Sequence, residues 1–571
     1  MAEDSVVRGR EKAAADHSPA VAGGRPAVPA AEANEGTAAE ADRLYARRWL
    51  TLLTLCLCII VIGVDNTILN VALPSIVRSL GATGSQLQLI VDGYTIIFAC
   101  LLLTSGSIGD RYGRRHALMF GLAWFGVFSL LASQAGSPAQ LIAARMCMGI
   151  GGAFIFPTTL SILTNTFRDP GERARAIGIW AGVSGIGIAL GPLLGGLLVE
   201  RFGWGSVFLI NVPITTIAIV LCLRFVPQSG ARADNPLDPI GALLSILGLA
   251  TLLYGIIEGP DRGWLATPVL GPLVAGVAFL ALFAWWEWRN PHPMLDVKFF
   301  RNPRFSAASA TITITFFALY ASTFLMTLYF QFVLGYSPVK TGLLITPVAV
   351  GLMIASPFAP RFVNRFGTKR VVVAGLCLVG GCMACYGSNT IMSSFALGLT
   401  VRFVYGLGMG LTSAPVTESI MGSLPPSRAG VGSAVNDTTR QTGGALGVAI
   451  IGSVFAARYH VAIGGLPFIP EGSRAVARES IGGSLKEAAS IGGATGAHLV
   501  SVAHEAFITS MRVAYGISVL VVATAVFVAW RFLPAQAPAS QPPPYAGVDA
   551  VVRPDSDLLE SMEIAVEDLV D

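Results

Sequence analysis

Charge is scarce in this chain: Asp, Glu, Lys and Arg supply 13% of its 571 residues, about half the share typical of a soluble domain. With 53% hydrophobic residues and a mean hydropathy of +0.66, the apolar surface exceeds what a soluble core of this length buries, so a water-soluble globular protein is excluded. The formal excess of positive charge is +4 and no basic run concentrates it, which leaves no electrostatic footprint for nucleic acid. The eight cysteines (56, 58, 100, 147, 222, 377, 382 and 385) all fall in apolar segments. They lack the spacing of a disulfide framework or a zinc site, and Cys56 and Cys58 read as packing. There is no phosphate-binding glycine loop of an ATP-driven pump. No nucleophile-base-acid set or metal cluster suggests an enzyme, and no cofactor is expected. No hydrophobic run precedes Trp49, so residues 1–46, rich in Ala, Gly, Glu and Pro, read as a disordered tail and not as a cleaved leader.

What is abundant is long apolar sequence. A span needs roughly 20 apolar residues to cross about 30 Å of hydrocarbon, and about fourteen such segments run from Trp49 to Phe532. Lys and Arg alternate with the loops: Arg43, Arg47, Arg48, Arg111, Arg114, Arg115, Arg168, Arg173, Arg175, Arg289, Lys298, Arg301, Arg304, Arg361, Arg365, Lys369 and Arg370 collect on one side. The opposite short loops hold little beyond Arg78, Arg201, Arg262 and Lys340, so both termini are expected in the cytoplasm of a multi-pass cell-membrane protein.

The chain also repeats itself. Arg145-x3-Gly149-x-Gly151 recurs as Arg402-x3-Gly406-x-Gly408, Asp110-Arg111-Tyr112-Gly113 as Asn364-Arg365-Phe366-Gly367, and Glu172-Arg173-Ala174 as Ser427-Arg428-Ala429. The pairs Asp110/Asn364, Arg145/Arg402 and Arg173/Arg428 are 254, 257 and 255 positions apart, near enough to constant to mark two homologous halves. The expected architecture is all-α and membrane-integral: two pseudo-symmetric six-helix bundles plus two linker helices. The domains are then a tail (1–46), an N-terminal bundle (47–228), two linker spans with an interfacial segment (229–304), a C-terminal bundle (305–533) with a long outer loop (458–510), and an acidic tail (534–571).

Buried charges are the candidate chemistry. Counting about 1.5 Å per residue, Asp65 lies about 25 Å along span 1 from the cytoplasmic start. Asp92 in span 2 and Arg145 in span 4 sit roughly 10 Å below the outer entries of their helices. All three therefore share a level, and Arg145 is expected to offset one or both carboxylates, since an isolated mid-membrane Asp costs roughly 3 kcal/mol. Two readings stand side by side, a structural ion pair and a proton site in which one carboxylate exchanges protons. Spans 9, 10 and 11 contain no carboxylate, so Arg402 lacks an acid at its level and turns to carbonyls, water or a substrate anion. Asp437 and Arg440, three residues apart, are expected to pair with each other or with Glu418. Asn66 and Asn70, one turn apart in span 1, add polar groups for a substrate.

Three of these stretches resemble a family. Gly106-x2-Gly109-Asp110-Arg111-Tyr112-Gly113-Arg114-Arg115, the Arg145 motif, and Gly187-x3-Gly191-Pro192-x2-Gly195-Gly196 in span 5 are similar to signature motifs of the major facilitator superfamily. Asp65-Asn66-Thr67-x2-Asn70-x3-Pro74 and Pro293-Met294-Leu295-Asp296 resemble its fourteen-span drug:proton antiporter branch, the EmrB/QacA type. The chain departs from that branch at Trp204-Gly205-Ser206, where Trp-Arg-Trp is frequent. The resemblance implies a proton-coupled antiporter that exports amphipathic small molecules, drugs or antibiotics, by alternating access. It implies proton coupling at Asp65 and Asp92, and a gate at Asp110, Arg111, Gly113, Arg114, Gly191, Pro192, Asn364 and Arg365. It also implies a cavity lined by span 9, where Tyr320, Phe324 and Gln331 are the candidate substrate contacts. Expected partners are protons, a small-molecule substrate and the lipid bilayer, with a monomer as the working unit. Two alternatives remain: a dedicated exporter of one endogenous metabolite, lipid or siderophore, and a non-transporting membrane sensor or scaffold.

Overall fold

The computed structural model describes residues 45–82, 84–228, 238–388, 395–425, 428–464, 466, 474, 476–478 and 480–535. Met1–Arg47 and Arg48–Asp571 are separate units; of the first only 45–47 are described, with helix at 45 and 46. Apart from these and 534–535, the two expected tails fall outside the described residues.

Twelve described segments are long and apolar enough to cross a membrane. Two further helices, of 33 and 27 residues, pack among them, which gives the fourteen expected. In chain order they are α1 (Arg48–Leu80), α2 (Gly84–Tyr112), α3 (Arg114–Ser133), α4 (Pro138–Thr166), α5 (Pro170–Phe202) and α6 (Ser206–Phe225). The linker pair follows, α7 (Pro239–Arg262) and α8 (Thr267–Arg289). The second half is α9 (Pro303–Leu328), α10 (Pro338–Phe366), α11 (Thr368–Tyr386), α12 (Phe395–Met421), α13 (Ala429–Gly464) and α14 (Gly493–Phe532).

The sequence writes the ends of these helices plainly. Five start with a capping side chain followed by proline: Ser137-Pro138, Asp169-Pro170, Asp238-Pro239, Asn302-Pro303 and Ser337-Pro338. In each the cap oxygen accepts a backbone N–H of the first turn, and proline costs nothing where its missing N–H has no partner. Gly113 (φ +100°) and Gly367 (φ +85°) make the tight α2–α3 and α10–α11 junctions in the left-handed region that favours glycine.

Burial follows the duplication. One apolar core is drawn mainly from Leu52 to Val226, the other mainly from Phe305 to Leu533. Within the first half α5 lies along α1, where a Cβ on Gly187 would come within 2.6 Å of the Gly63 backbone. Within the second half α13 lies along α9 in the same way, a Cβ on Gly447 running into the Phe317 carbonyl, 3.0 Å from its carbon. Between the halves α5 runs beside α10, with Gly182 against Met353 and Gly185 against Ala349. Small residues let the backbones approach where lipid provides no hydrophobic drive. The linker helices are closed by Asp238, which accepts from Trp286 Nε1 at 2.9 Å and from Asn290 Nδ2 at 2.6 Å.

The stretch expected as a long outer loop, 458–510, is largely helical where described. α13 continues to Gly464, a short helix spans Ile481–Ile491, and α14 begins at Gly493 rather than near 511. α14 has 40 residues, about 60 Å and twice the hydrocarbon thickness, so it extends beyond the membrane. Leu499, Ala503, Ala506 and Phe507 keep the helical spacing of a buried stripe. Phe507 meets Phe455 edge-on at 4.8 Å, and Tyr459 donates to Ser484 at 2.8 Å. A charge and hydropathy count sees the polar residues of such an extension but not its packed face.

Candidate functional site

The deepest charged group is on α1. Asp65 is fully buried, and Arg145 of α4 reaches it with Nη1 2.5 Å from Oδ2. Arg145 Nε also donates to the Ile90 carbonyl at 3.2 Å, and its guanidinium lies 4.2 Å from the Tyr94 ring centre. On the far side Asn211 Nδ2, from α6, donates to Asp65 Oδ1 at 2.9 Å and lies 3.4 Å from Ser129 Oγ. The carboxylate is therefore held between α4 and α6, with α2 and α3 supporting these two partners, its charge offset by one guanidinium and its second oxygen by an amide. An ion pair stays intact at such depth only with hydrogen bonds of this kind on the remaining lone pairs.

Asp92 does not share Arg145. It sits half-buried in α2, outside this pair. Depth counting placed the three groups at one level but could not supply azimuth: on a helix of 3.6 residues per turn, level does not fix which neighbour a side chain faces. Asn211 and Tyr94 escaped the sequence reading; the signal for Asn211 was a lone amide in the apolar run Val207-Phe-Leu-Ile-Asn211-Val-Pro213.

Asn66, beside Asp65, is exposed, and the side chains of Asn70 and Pro192 lie outside the described residues. Tyr320 is 42% exposed and packs on Gly444 and the Phe316 ring. It lies within electrostatic reach of Tyr94 in the first half and of Arg440 on α13. Phe324 is half-buried near Gly452. Gln331 falls in a π-helical turn, Tyr329–Val333, about 16 Å along the helix from Tyr320, so the three candidates do not form one patch.

Among the described residues, Arg402 of α12 finds neither carbonyl nor carboxylate. Its guanidinium sits 4.5 Å from the Phe330 ring, within electrostatic reach of Tyr329, Tyr386 and Tyr515, a cation over aromatic rings where the first half has an ion pair. Asp437 and Arg440 are both buried but form no ion pair with each other or with Glu418 among the described residues. Arg440 Nη2 donates to Thr417 at 2.8 Å and stacks on Trp180 of α5, while Asp437 accepts from Asn436 at 3.1 Å. Three residues of separation would let the two side chains meet, but each is taken by another group: Thr417 of α12 accepts from Arg440, and Asn436 donates to Asp437.

The second cluster joins the halves. Asp110, at the end of α2, accepts from Arg114 Nε at 2.8 Å and from the amides of Gly430 (3.0 Å) and Val431 (3.3 Å) at the start of α13. A first-half carboxylate thus caps a second-half helix, where the helix dipole favours an anion. Sequence explains why α13 accepts it: the residue before Ala429 is Arg428, whose side chain is donor-only, whereas α5 has its own cap in Asp169. Gly106 and Gly430 make room, since a Cβ on Gly106 would lie 2.6 Å from the Gly430 carbonyl oxygen and one on Gly430 2.5 Å from Asp110 Oδ1. Gly191 is buried against Thr67 of α1. Arg111 stacks on Tyr112 at 5.4 Å and Arg365 on Phe366 at 5.5 Å. Asn364 is exposed at the matching end of α10 and makes no such cap.

A duplicated bundle with the buried Asp65–Arg145 pair, the Asp110 cross-half cap and glycine-lined α1–α5 and α9–α13 contacts agrees with the comparisons. The Major Facilitator Superfamily model matches residues 55–448. The chain belongs to the major facilitator superfamily. Among the relatives, the "Multidrug resistance protein Stp" of Mycobacterium tuberculosis is 34% identical over 498 residues, covering 85% of this chain and 92% of that protein. The "Tetracenomycin C resistance and export protein" of Streptomyces glaucescens is 33% identical, with the same coverage of 85% and 92%. Among solved structures, the superfamily proton:xylose symporter XylE shares the fold with a TM-score of 0.55 at 14% identity, over 87% of this chain and 98% of that one. The chain is a multi-pass membrane protein of this superfamily, a family of transporters.

Proposed function

We propose that this superfamily member is a proton-coupled antiporter that exports amphipathic small molecules across the cytoplasmic membrane. The observation that carries the reading is Asp65, a fully buried carboxylate held between Arg145 and Asn211. A proton arriving there neutralises the acid and frees Arg145, which changes the packing of α1, α4 and α6 together, so protonation and helix arrangement are coupled. Moving one elementary charge through 100 mV supplies about 2.3 kcal/mol, roughly fifty-fold accumulation. The Asp110 cap then serves as the latch of the state closed at that face, which the basic loops mark as cytoplasmic. The working unit is a monomer. A role for Asp92 at the entry of the proton route completes the scheme.

The export direction and drug-like cargo rest on the relatives named for multidrug resistance and for tetracenomycin C export. The second of these names a single compound, which favours keeping a dedicated exporter as the alternative. Inverted vesicles carrying a respiratory pH gradient test the coupling: substrate dissipates the gradient in the wild type and not in Asp65→Asn. Full substrate-driven proton movement by Asp65→Asn ends the role assigned to Asp65. Resistance profiling in an efflux-deficient host, with and without an uncoupler, separates broad from dedicated export.

A further inference from the structure

The duplicated fold brings two junctions to the Asp110 face and completes only one of them with its own side chain. At the α2–α13 junction the Asp110 carboxylate binds Arg114 and two α13 amides. At the matching α10–α5 junction the residue 254 positions on is Asn364, and a cavity of about 310 Å³ opens beside it. It is bounded by the start of α5, the ends of α10 and α12, and the starts of α9 and α11, so its walls belong to both halves. A water's share of liquid volume is about 30 Å³, so the space admits a larger guest.

Three charged side chains line it: Arg173 from α5, Arg304 from α9 and Glu418 from α12. Arg173 Nη2 stands 3.4 Å from Glu418 Oε1, a long ion pair, while Arg304 has no ion-pair partner within 4 Å among the described residues. Arg173 Nε and Arg304 Nε are buried donors without a hydrogen-bond partner, and Glu418 Oε2 is a buried acceptor without one. Two guanidinium groups against one carboxylate leave one positive charge over. The offset of 257 that relates Arg145 to Arg402 on these two helices puts Ser161 in the first half where the second has Glu418, so this charged set is peculiar to one junction.

We infer that the cavity is a binding site for a phosphate group that carries a neighbouring hydrogen-bond donor. Phosphate oxygens satisfy the two guanidinium groups in the fork geometry that arginine favours, and the donor satisfies Glu418. Free hydrogen phosphate has both parts in one ion, and a phosphatidylglycerol headgroup has a phosphate beside hydroxyls. The bound group supplies the negative charge that Asn364 lacks and ties α5 to α9 and α12, so it favours the arrangement closed at this face.

The test is the thermal midpoint of the purified full chain in phosphatidylcholine nanodiscs, titrated with inorganic phosphate against chloride at constant ionic strength. A saturable rise is expected, with apparent affinity about ten-fold or more weaker in Arg304→Gln, as removal of a charged hydrogen bond predicts. Asn364→Asp, which brings a carboxylate to the rim, weakens it as well, and Asn364→Ala does not. Nanodiscs containing phosphatidylglycerol distinguish the sources. If the headgroup is the ligand, the rise follows the lipid, disappears in Arg304→Gln, and free phosphate adds nothing. No rise with either source, or equal responses in wild type, Arg304→Gln and Asn364→Asp, overturns the site. Should Arg304→Gln not fold, the comparison of Asn364→Asp with Asn364→Ala decides alone.

Discussion

Asp110→Asn isolates the electrostatic part of the cross-half latch. The side chain keeps its size and one acceptor oxygen, so one amide of α13 retains a bond, while the negative charge is lost. In the native protein that charge serves Arg114 at 2.8 Å and the amides of Gly430 and Val431 at 3.0 and 3.3 Å, with the Asp110 side chain only 10% exposed. A hydrogen bond to a charged group contributes about 1.5–3 kcal/mol against about 0.5–1.5 for a neutral one, and an anion at a partly buried helix start adds up to about 2. Allowing for the bond that Asn retains, the closed arrangement loses about 2–3 kcal/mol, a shift of roughly 30- to 150-fold in the closed-to-open equilibrium. Hydrogen exchange of the Gly430 and Val431 amides in nanodiscs reads this directly, because those N–H groups are free only when the latch opens. Their protection is expected to fall by about the same factor, while amides in the middle of α4 keep theirs. Unchanged protection at Gly430 and Val431 would refute the latch, since both donors are then held by something other than the carboxylate.

Other outcomes follow from the same geometry. Arg145→Leu strands the buried Asp65 and is expected to cost about 3–5 kcal/mol, whereas Arg402→Leu removes a cation from aromatic rings and costs about 0.5–2 kcal/mol. Thermal midpoints of the two variants compare them, and equal losses contradict the asymmetry between the halves. Gly191→Ala places a methyl group 2.8 Å from Thr67 Cβ, pushing α1 from α5 at about 1–3 kcal/mol. Transport by this variant should fall in parallel with stability, and a shortened Thr67→Gly partner should restore part of both; absence of rescue would place the constraint elsewhere.

Much of the site was legible one element at a time. Asp65, Arg145 and Asp110 stood out because a charge in an apolar run is costly and so invites a reason. The duplication was legible from near-constant offsets, and the helix starts from Ser-Pro, Asp-Pro and Asn-Pro pairs. Where direction around a helix mattered, the packing made the choice. Of the two carboxylates that Arg145 could offset, it pairs with Asp65 and not with Asp92, and the expected Asp437–Arg440 pair gives way to Arg440 on Thr417. Asn211 looked like an ordinary amide until α6 placed it on Asp65.

Sequence by itself determined that this is a duplicated, fourteen-helix membrane protein with its charges rationed to a few buried positions, because hydrocarbon demands long apolar runs and penalises each exception. Tertiary structure alone decided which exceptions meet. It gave Asp65 to Arg145 and Asn211, set Asp110 on a helix of the other half, surrounded Arg402 with rings, and left Asn364 beside a cavity where its counterpart closes a contact. Composition and period place a residue on a helix and at a depth, but the rotation of that helix and the approach its glycines permit are properties of the packed bundle.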